Sequence, residues 1–414
     1  MTKAALLLAL VPQLAPQPAR VGGAGDPALP LLPQVSAGHP FVPDTVLSVP
    51  GGPRIVRLDM PGSPLIAMRL SIPLEEGASE AGAGYLLQIM GADRARALAG
   101  PVGVQVEGTR TPWGVAYTIV GTRPDFDFLA YLLSEAAAEP GAPEVEFERA
   151  RLAQRAQALR SQETAAGRVV AALRAGVAPS MPPLEGTVES LDGLTLSAVR
   201  GVWRRSHRAG GMTLVIAGDV PEELLLSAFQ RLGSSGEAPG RPTAPAPRGQ
   251  AGRAQVIRHW YGEARAVGDP RDPHPTVAVL LISDRLRGAG SDWEAQVQLW
   301  EMEGRQVIAI VGAAYPGAAV RMRGGIRAAL GETSRGVTAE RVRSAVATVR
   351  HELLREARTP GGLVTVVGRL VEATTAPDGA RRFLDSLERV TPESMVAFLG
   401  SLERQTPQRA EVRP

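Results

Sequence analysis

The sequence has 414 residues, of which 44% are hydrophobic and 21% charged, so it is long enough for two or three domains with a sizeable core. It contains no cysteine, which excludes disulfides, thiolate zinc sites and cysteine nucleophiles. The formal net charge is only +3, and the arginines alternate with acids without forming a basic stripe, which argues against a nucleic-acid partner.

Residues 1–44 are predicted to be a leader followed by an arm rich in proline and glycine. Lys3 precedes the apolar run 4–11, and small residues and prolines follow it. This pattern resembles a secretory signal cleaved near Ala15 or Ala19, which would export the protein to the periplasm. The alternative is a disordered apolar leader on a cytoplasmic protein. The run is too short to span a membrane, and no later stretch is long and apolar enough.

A first α+β domain is predicted over residues 45–233. Alternating and apolar runs predict strands at 46–49, 54–58, 66–72, 102–106, 113–120 and 211–219. Helical spacing predicts helices at 125–138, 144–162, 168–175, 196–206 and 222–232. Thr195 is the expected N-cap of the helix at 196–206.

The stretch 80–90 follows the third predicted strand and a glutamate-rich turn. Ser79 is the expected cap of a helix here. On that helix Tyr85, Gln88 and Ile89 stand at i, i+3 and i+4 and share one face, which we name the motif face. At this spacing the motif H-x-x-E-H of inverse zinc peptidases places two zinc ligands and a general base on one helical face.

The residues around the motif face resemble those of the pitrilysin/insulinase family of zinc peptidases, which includes mitochondrial processing peptidase. That family typically has G-x-x-H-x-x-E-H-M here, and Gly82 and Met90 match its glycine and methionine. Tyr85, Gln88 and Ile89 stand where the family has His, Glu and His. Tyrosine is a poor zinc ligand, glutamine cannot act as a general base, and isoleucine offers no lone pair. The resemblance indicates a catalytically degenerate member; the alternative is an ordinary amphipathic helix.

In the resembling family a glutamate on a later, long helix supplies the third zinc ligand. The matching position is Gln154, or Arg155 one residue on, and neither ligates zinc as a carboxylate does. Glu163 is the nearby carboxylate further along the helix, and a solvated charge is its simpler interpretation. We therefore expect no zinc or other cofactor in this chain, and zinc only in a partner subunit.

The order L-T-x-x-x-V-x-x-x-W followed by T-L-V-I-A-G-D-V, residues 194–220, is similar to the end of the first domain in the same family. Residues 234–253 then predict a linker, 254–404 a second domain and 405–414 a tail. In the second domain strands are expected at 255–260, 276–283 and 306–312, and helices at 293–302, at 338–358 and after Pro360. The segment 386–396 repeats the pattern of residues 194–199 about 196 residues further along the chain, which indicates duplicated domains.

The resemblance, over about residues 45–402, implies an α+β fold of two tandem homologous α/β-sandwich domains, one half of the family's clamshell. Its two-chain members pair a zinc-bearing subunit with one that lacks the site, and peptides add a strand to a sheet edge beside the zinc helix. The corresponding edge here is expected at Val104, Gln105, Val106 and Glu107.

Active members also carry an Arg/Tyr pair that polarises the scissile carbonyl, and Arg305 and Tyr315 are the nearest candidates for it. Asp272 and His274 are candidates for a cation site, with a solvated loop as the alternative. No G-x-S-x-G elbow supports serine hydrolase chemistry.

Three functions remain open from the sequence. The first is a non-catalytic peptidase subunit that forms a peptide chamber with a zinc-bearing homologue. The second is a stand-alone peptide-binding or scaffold protein on the same fold. The third is an active zinc metallopeptidase, which needs ligands that the sequence does not show.

Overall fold

The computed structural model describes residues 41–100, 103–141, 144–229, 258–287, 292–302 and 304–414. The leader to residue 40, the predicted linker 234–253 and the strand residues 255–257 lie outside these ranges. None of the described helices is long and apolar enough to cross a membrane.

The first half of the described chain forms a six-stranded sheet with helices. Its strands are β1 (Thr45–Ser48), β2 (Arg54–Asp59), β3 (Leu65–Pro73), β4 (Gln105–Thr111), β5 (Gly114–Thr122) and β6 (Thr213–Gly218). Its helices are α1 (Ala83–Ala99), α2 (Phe126–Ala137), α3 (Glu144–Glu163), α4 (Ala165–Val177), α5 (Val188–Gly193), α6 (Leu196–Ser206) and α7 (Glu222–Phe229). The strand order is β1-β2-β6-β3-β5-β4, with only β2 and β6 parallel among these pairs.

The second half forms a four-stranded antiparallel sheet with helices. Its elements are β7 (His259–Val267), α8 (His274–Arg287), β8 (Trp293–Met302), β9 (Arg305–Ala314), α9 (Ala319–Arg335), α10 (Ala339–Glu356), α11 (Pro360–Thr374), α12 (Gly379–Leu387), α13 (Pro392–Arg404) and β10 (Gln408–Val412). Its strand order is β10-β7-β9-β8.

The two halves have the same plan. The elements from β3 through α1 to β6 recur in the same order from β7 through α8 to β10. The four strands β6-β3-β5-β4 also match β10-β7-β9-β8 in their lateral order. This repeat confirms the predicted fold of two tandem homologous α/β-sandwich domains.

Each domain covers one face of its own sheet and receives a helix from the other domain on the opposite face. Val169 and Leu173 of α4 pack against the second sheet at Ala264 and Ala309. In return α11 packs against the first sheet, and its Val364 lies in one apolar cluster with residues of β3 and β6. Because each helix fills the other domain's core, the two domains share their apolar packing.

A buried ion pair links the two domains beneath α11. Arg69 on β3 and Glu372 on α11 are almost fully buried, and Nη2 of the arginine lies 2.9 Å from Oε1 of the glutamate. Ser71 donates to the same oxygen at 2.5 Å, and Nη1 of Arg69 reaches Thr118 at 3.3 Å. These bonds satisfy charges whose desolvation would otherwise destabilise the fold.

Two elements of the second domain were predicted wrongly. Residues 276–283 are not a strand but the middle of α8, which packs between the sheet and helices α9 and α10. Every residue from 275 to 283 is buried, and a continuous apolar run does not distinguish a buried helix from a buried strand. Residues 293–302 are not a helix but β8, whose first residues alternate between half-buried and exposed.

Three boundaries also differ from the prediction. The strand expected at 102–106 runs over Gln105–Thr111, with residue 102 outside the described ranges. Residues 405–414 were predicted to be a tail outside the second domain, and this is wrong. They contain β10, which pairs with β7 and places Ala410 and Val412 on the apolar cluster under α4. The arm 1–44 extends too far, since Phe41 is fully buried in the core.

Candidate functional site

Helix α1 begins at Ala83 rather than after Ser79, which lies in a short 3-10 turn. Gly82 is the N-cap and has a φ of +96°, a left-handed conformation that favours glycine. Gly84 donates its backbone N–H to the carboxylate of Glu76, which takes the capping role expected of Ser79.

Tyr85, Gln88 and Ile89 lie together on α1 as the spacing predicts, and all three side chains are half-buried. The opposite face of the helix, with Leu86 and Leu87, is buried in the core. Burial, with a smaller contribution from the charge of Glu185, raises the pKa of the Tyr85 phenol. The phenol therefore stays protonated at neutral pH and is not a phenolate ligand for a metal.

Gln88 forms a hydrogen bond that joins the motif face of α1 to the sheet. Its Nε2 donates to the carbonyl oxygen of Gly108 on β4 at 2.9 Å. A glutamate carboxylate at this position would be an acceptor only and would face another acceptor. Gln88 is therefore a structural contact between α1 and β4 in this protein.

Gln154, the residue predicted to match the third-ligand position, lies beside the start of α1. It lies on α3, is 2% exposed, and contacts the start of α1 one turn before Tyr85. Its Nε2 donates to the carbonyl oxygens of Gly82 at 3.2 Å and Glu185 at 2.5 Å. A Cβ added to Gly82 would lie 2.9 Å from the same nitrogen, so the Gln154 side chain lies close against the backbone of Gly82.

The two alternative third-ligand residues point elsewhere. Arg155 forms an ion pair with Asp192 at 2.6 Å, and Glu163 is exposed at the end of α3. Within the described part of the chain no group of three or more His, Asp or Glu side chains is arranged to hold a metal ion. A phenol, two amides and an alkyl chain do not fit zinc, and none of them is a base that activates water at neutral pH.

The predicted peptide edge lies on β4. Gln105, Val106 and Glu107 belong to β4, Val104 directly precedes it, and β4 is an edge of the described sheet. Arg96 of α1 donates to the carbonyl oxygen of Val106 at 3.1 Å, as Gln88 does to Gly108. The bond from Arg96 was not foreseen, because it joins α1 to a strand whose position had been placed too early.

The candidate Arg/Tyr pair is not formed. Arg305 begins β9 and Tyr315 directly follows its end, so the strand separates them by roughly 30 Å. Tyr315 instead stacks under the guanidinium of Arg258, which lies 4.8 Å from the ring centroid.

Asp272 and His274 contact each other, and His274 also contacts the N-terminus of α13. The His274 Nδ1 atom lies 2.6 Å from Asp272, and its Nε2 lies 2.9 Å from the hydroxyl of Ser394. Ser394 belongs to the capping box of α13. The histidine therefore fastens the loop before α8 to the start of α13.

No family model and no curated protein matches the sequence. Solved structures nevertheless share its fold. A chain of complex III2 from Candida albicans aligns with a TM-score of 0.72 at 10% identity, over 89% of this chain and 94% of that one. A protease from Helicobacter pylori aligns with a TM-score of 0.72 at 12% identity, over 89% and 98%.

The inactive domain of a peptidase M16 from Pseudomonas fluorescens aligns with a TM-score of 0.71 at 13% identity, over 89% of this chain and 96% of that one. At these identities the likeness shows the fold alone. The protein has the M16-type fold that the motif face and the domain repeat predict.

Proposed function

We propose that this protein is a non-catalytic subunit of an M16-type peptidase, of the pitrilysin/insulinase kind. It pairs with a zinc-bearing homologue and supplies one wall of a peptide-binding chamber. The observation that carries the proposal is the motif face, which keeps the helix, the spacing and the approach of Gln154 while every chemical group differs.

The replaced residues form bonds of their own, and this supports a structural role for the site. Gln88 and Gln154 both use amide N–H groups to bind carbonyl oxygens at the two ends of the motif face. A carboxylate could make neither bond. The two glutamines that stand where the peptidases have carboxylates therefore stabilise the shape of the site.

The similar structures support the proposal at the level of fold. One is named as an inactive domain of the same peptidase type, and another belongs to a multi-subunit complex. Location in the periplasm, expected from the leader, and peptide binding along β4 at Val104–Glu107 are parts of the same proposal.

A stand-alone scaffold is the second candidate, and one observation favours it. Gln88 and Arg96 already donate to two carbonyl oxygens of β4, and an incoming peptide would compete for the same acceptors. A scaffold that binds no peptide at this edge has no such competition.

Co-expression with a zinc-bearing M16 homologue from the same genome tests the proposal. We expect capture of the tagged chain to recover a 1:1 complex that buries more than roughly 1,000 Å², with about one zinc per complex and none in this chain alone. A chain that alone holds about one zinc, with chelation abolishing peptidase activity, would overturn the proposal. Recovery of monomers only would favour the scaffold.

A further inference from the structure

Strand β2 of the first domain has no counterpart among the described residues of the second domain. In the first domain β6 has neighbours on both sides, β3 and the parallel strand β2. Its counterpart β10 pairs with β7 on one side, and no described strand lies on its other side. An edge strand with unpaired N–H and C=O groups is a template for another strand.

The two faces of β10 differ in chemistry. Ala410 and Val412 are half-buried and pack on the apolar cluster beneath α4. Arg409 and Glu411 alternate with them, are exposed and point to the opposite face, which Arg413 continues. A strand added beside β10 would have apolar neighbours on one face and charged neighbours on the other.

The charged face carries an excess of positive charge. Glu263 lies 3.0 Å from both Arg409 and Arg265 and 3.8 Å from Arg327. Glu411 lies 3.1 Å from Arg413 and 2.5 Å from Arg323. Five guanidinium groups thus face two carboxylates, which leaves three positive charges beside the edge. Arg409, Arg413 and Arg327 are each more than half exposed.

We propose that the open edge of β10 docks an extended segment of a partner protein in which acidic and apolar residues alternate. The segment pairs in parallel with β10, as β2 does with β6. Its acidic side chains face Arg409 and Arg413, since residues on one face of neighbouring strands contact each other. This docking is independent of the motif face and of the proposed peptidase partnership.

The two longest undescribed segments of this chain do not have the required sequence. Residues 1–40 contain one acid, Asp26, and residues 230–257 contain one acid, Glu237. Neither segment alternates acidic and apolar residues, and for this reason we assign the docked segment to a partner protein.

Fluorescence anisotropy with a labelled seven-residue peptide that alternates valine and glutamate tests the proposal on the full chain. We expect saturable binding that weakens about tenfold in the double variant Arg409→Gln/Arg413→Gln, which removes two cross-strand charge pairs. Arg381→Gln/Arg382→Gln on α12 is the matched control, because both arginines are exposed and the change in net charge is equal. This control should bind as the wild type does.

Three further peptides separate strand pairing from plain charge attraction and need no variant of the protein. Replacement of glutamate by lysine should abolish binding. Two peptides are methylated on alternate backbone nitrogens, one on the odd and one on the even positions. Binding should be abolished in the peptide whose methylated nitrogens face β10. No binding of the valine–glutamate peptide would overturn the proposal. Equal binding to the double variant, or full binding of both methylated peptides, would also overturn it.

Discussion

Gln88 donates from its Nε2 atom to the carbonyl oxygen of Gly108, 2.9 Å away, and so joins helix α1 to the edge strand β4. In the resembling peptidases a glutamate, the general base, stands at this position. In this chain the residue is a donor rather than an acceptor, and its bond stabilises the sheet edge.

Replacement of Gln88 by glutamate should destabilise the protein at neutral pH. The variant places a carboxylate against the Gly108 carbonyl, which we expect to lower the free energy of unfolding by about 1–3 kcal/mol. Urea unfolding at pH 7 measures this. At low pH the protonated acid can donate, so the difference from wild type should shrink. Gln157→Glu, on an exposed position of α3, is the control. An equal effect of both changes would contradict the assignment.

Restoring the motif tests whether the site is a vestige of a zinc site. The quadruple variant Tyr85→His, Gln88→Glu, Ile89→His and Gln154→Glu assembles two imidazoles and two carboxylates around the start of α1. Without metal it should be less stable than wild type, because Gln154 loses its bonds to two carbonyls.

Zinc should raise the melting temperature of the quadruple variant, since binding to the folded state alone stabilises it. The triple variant that keeps Gln154 lacks the third ligand and is the control, with a smaller shift. Peptide hydrolysis should stay poor even with zinc, because Arg305 and Tyr315 form no pair to stabilise an oxyanion. A folded quadruple variant indifferent to zinc would show that the helix only resembles a zinc site.

The ion pair between Arg69 and Glu372 should be a major contact between the domains. Either Arg69→Met or Glu372→Met leaves a buried unpaired charge, which we expect to cost about 3–5 kcal/mol. The double variant should lose much less, and a double-mutant cycle by urea unfolding measures the coupling. The exposed pair Arg382 and Asp378 should show coupling below about 1 kcal/mol. Similar couplings for both pairs would contradict the buried geometry.

His207 should make the stability depend on pH. Burial at the end of α6, where the ring stacks on Trp203 with 5.0 Å between the centroids, lowers its pKa to about 3. The unfolded chain binds a proton near pH 6.5, so this contribution to stability is present above pH 6.5 and falls toward pH 3. From pH 7 to pH 5 the loss is about 2 kcal/mol.

His207→Phe should remove this part of the pH dependence of unfolding, which urea unfolding of both proteins at pH 7 and pH 5 measures. Parallel pH profiles for wild type and His207→Phe would show that His207 does not titrate on unfolding.

The sequence predicted the first domain well, because its elements have clear periods. Helix α6 and its Thr195 cap were placed correctly, since a polar cap precedes strongly amphipathic spacing. The motif face was placed correctly for the same reason: i, i+3 and i+4 share a face in any helix. What the local pattern did not show was the partner of each side chain, such as Gly108 for Gln88.

The second domain was harder to predict from local patterns. Residues 275–283 are buried throughout, so no period remains to distinguish helix from strand. The alternation at 293–300 does have a period of two and was overlooked. The duplication itself carried the missing information, because α8 stands in the place of α1 and β8 in the place of β4.

The proposed pairing is best tested by the peptidase activity of a zinc-bearing M16 homologue measured with and without this chain. We expect that the chain alone does not hydrolyse peptides and that its equimolar addition raises the kcat/KM of the homologue, whereas an unrelated protein does not. Zinc-dependent hydrolysis by this chain alone, or a homologue whose kcat/KM is the same in its presence and absence, would contradict it.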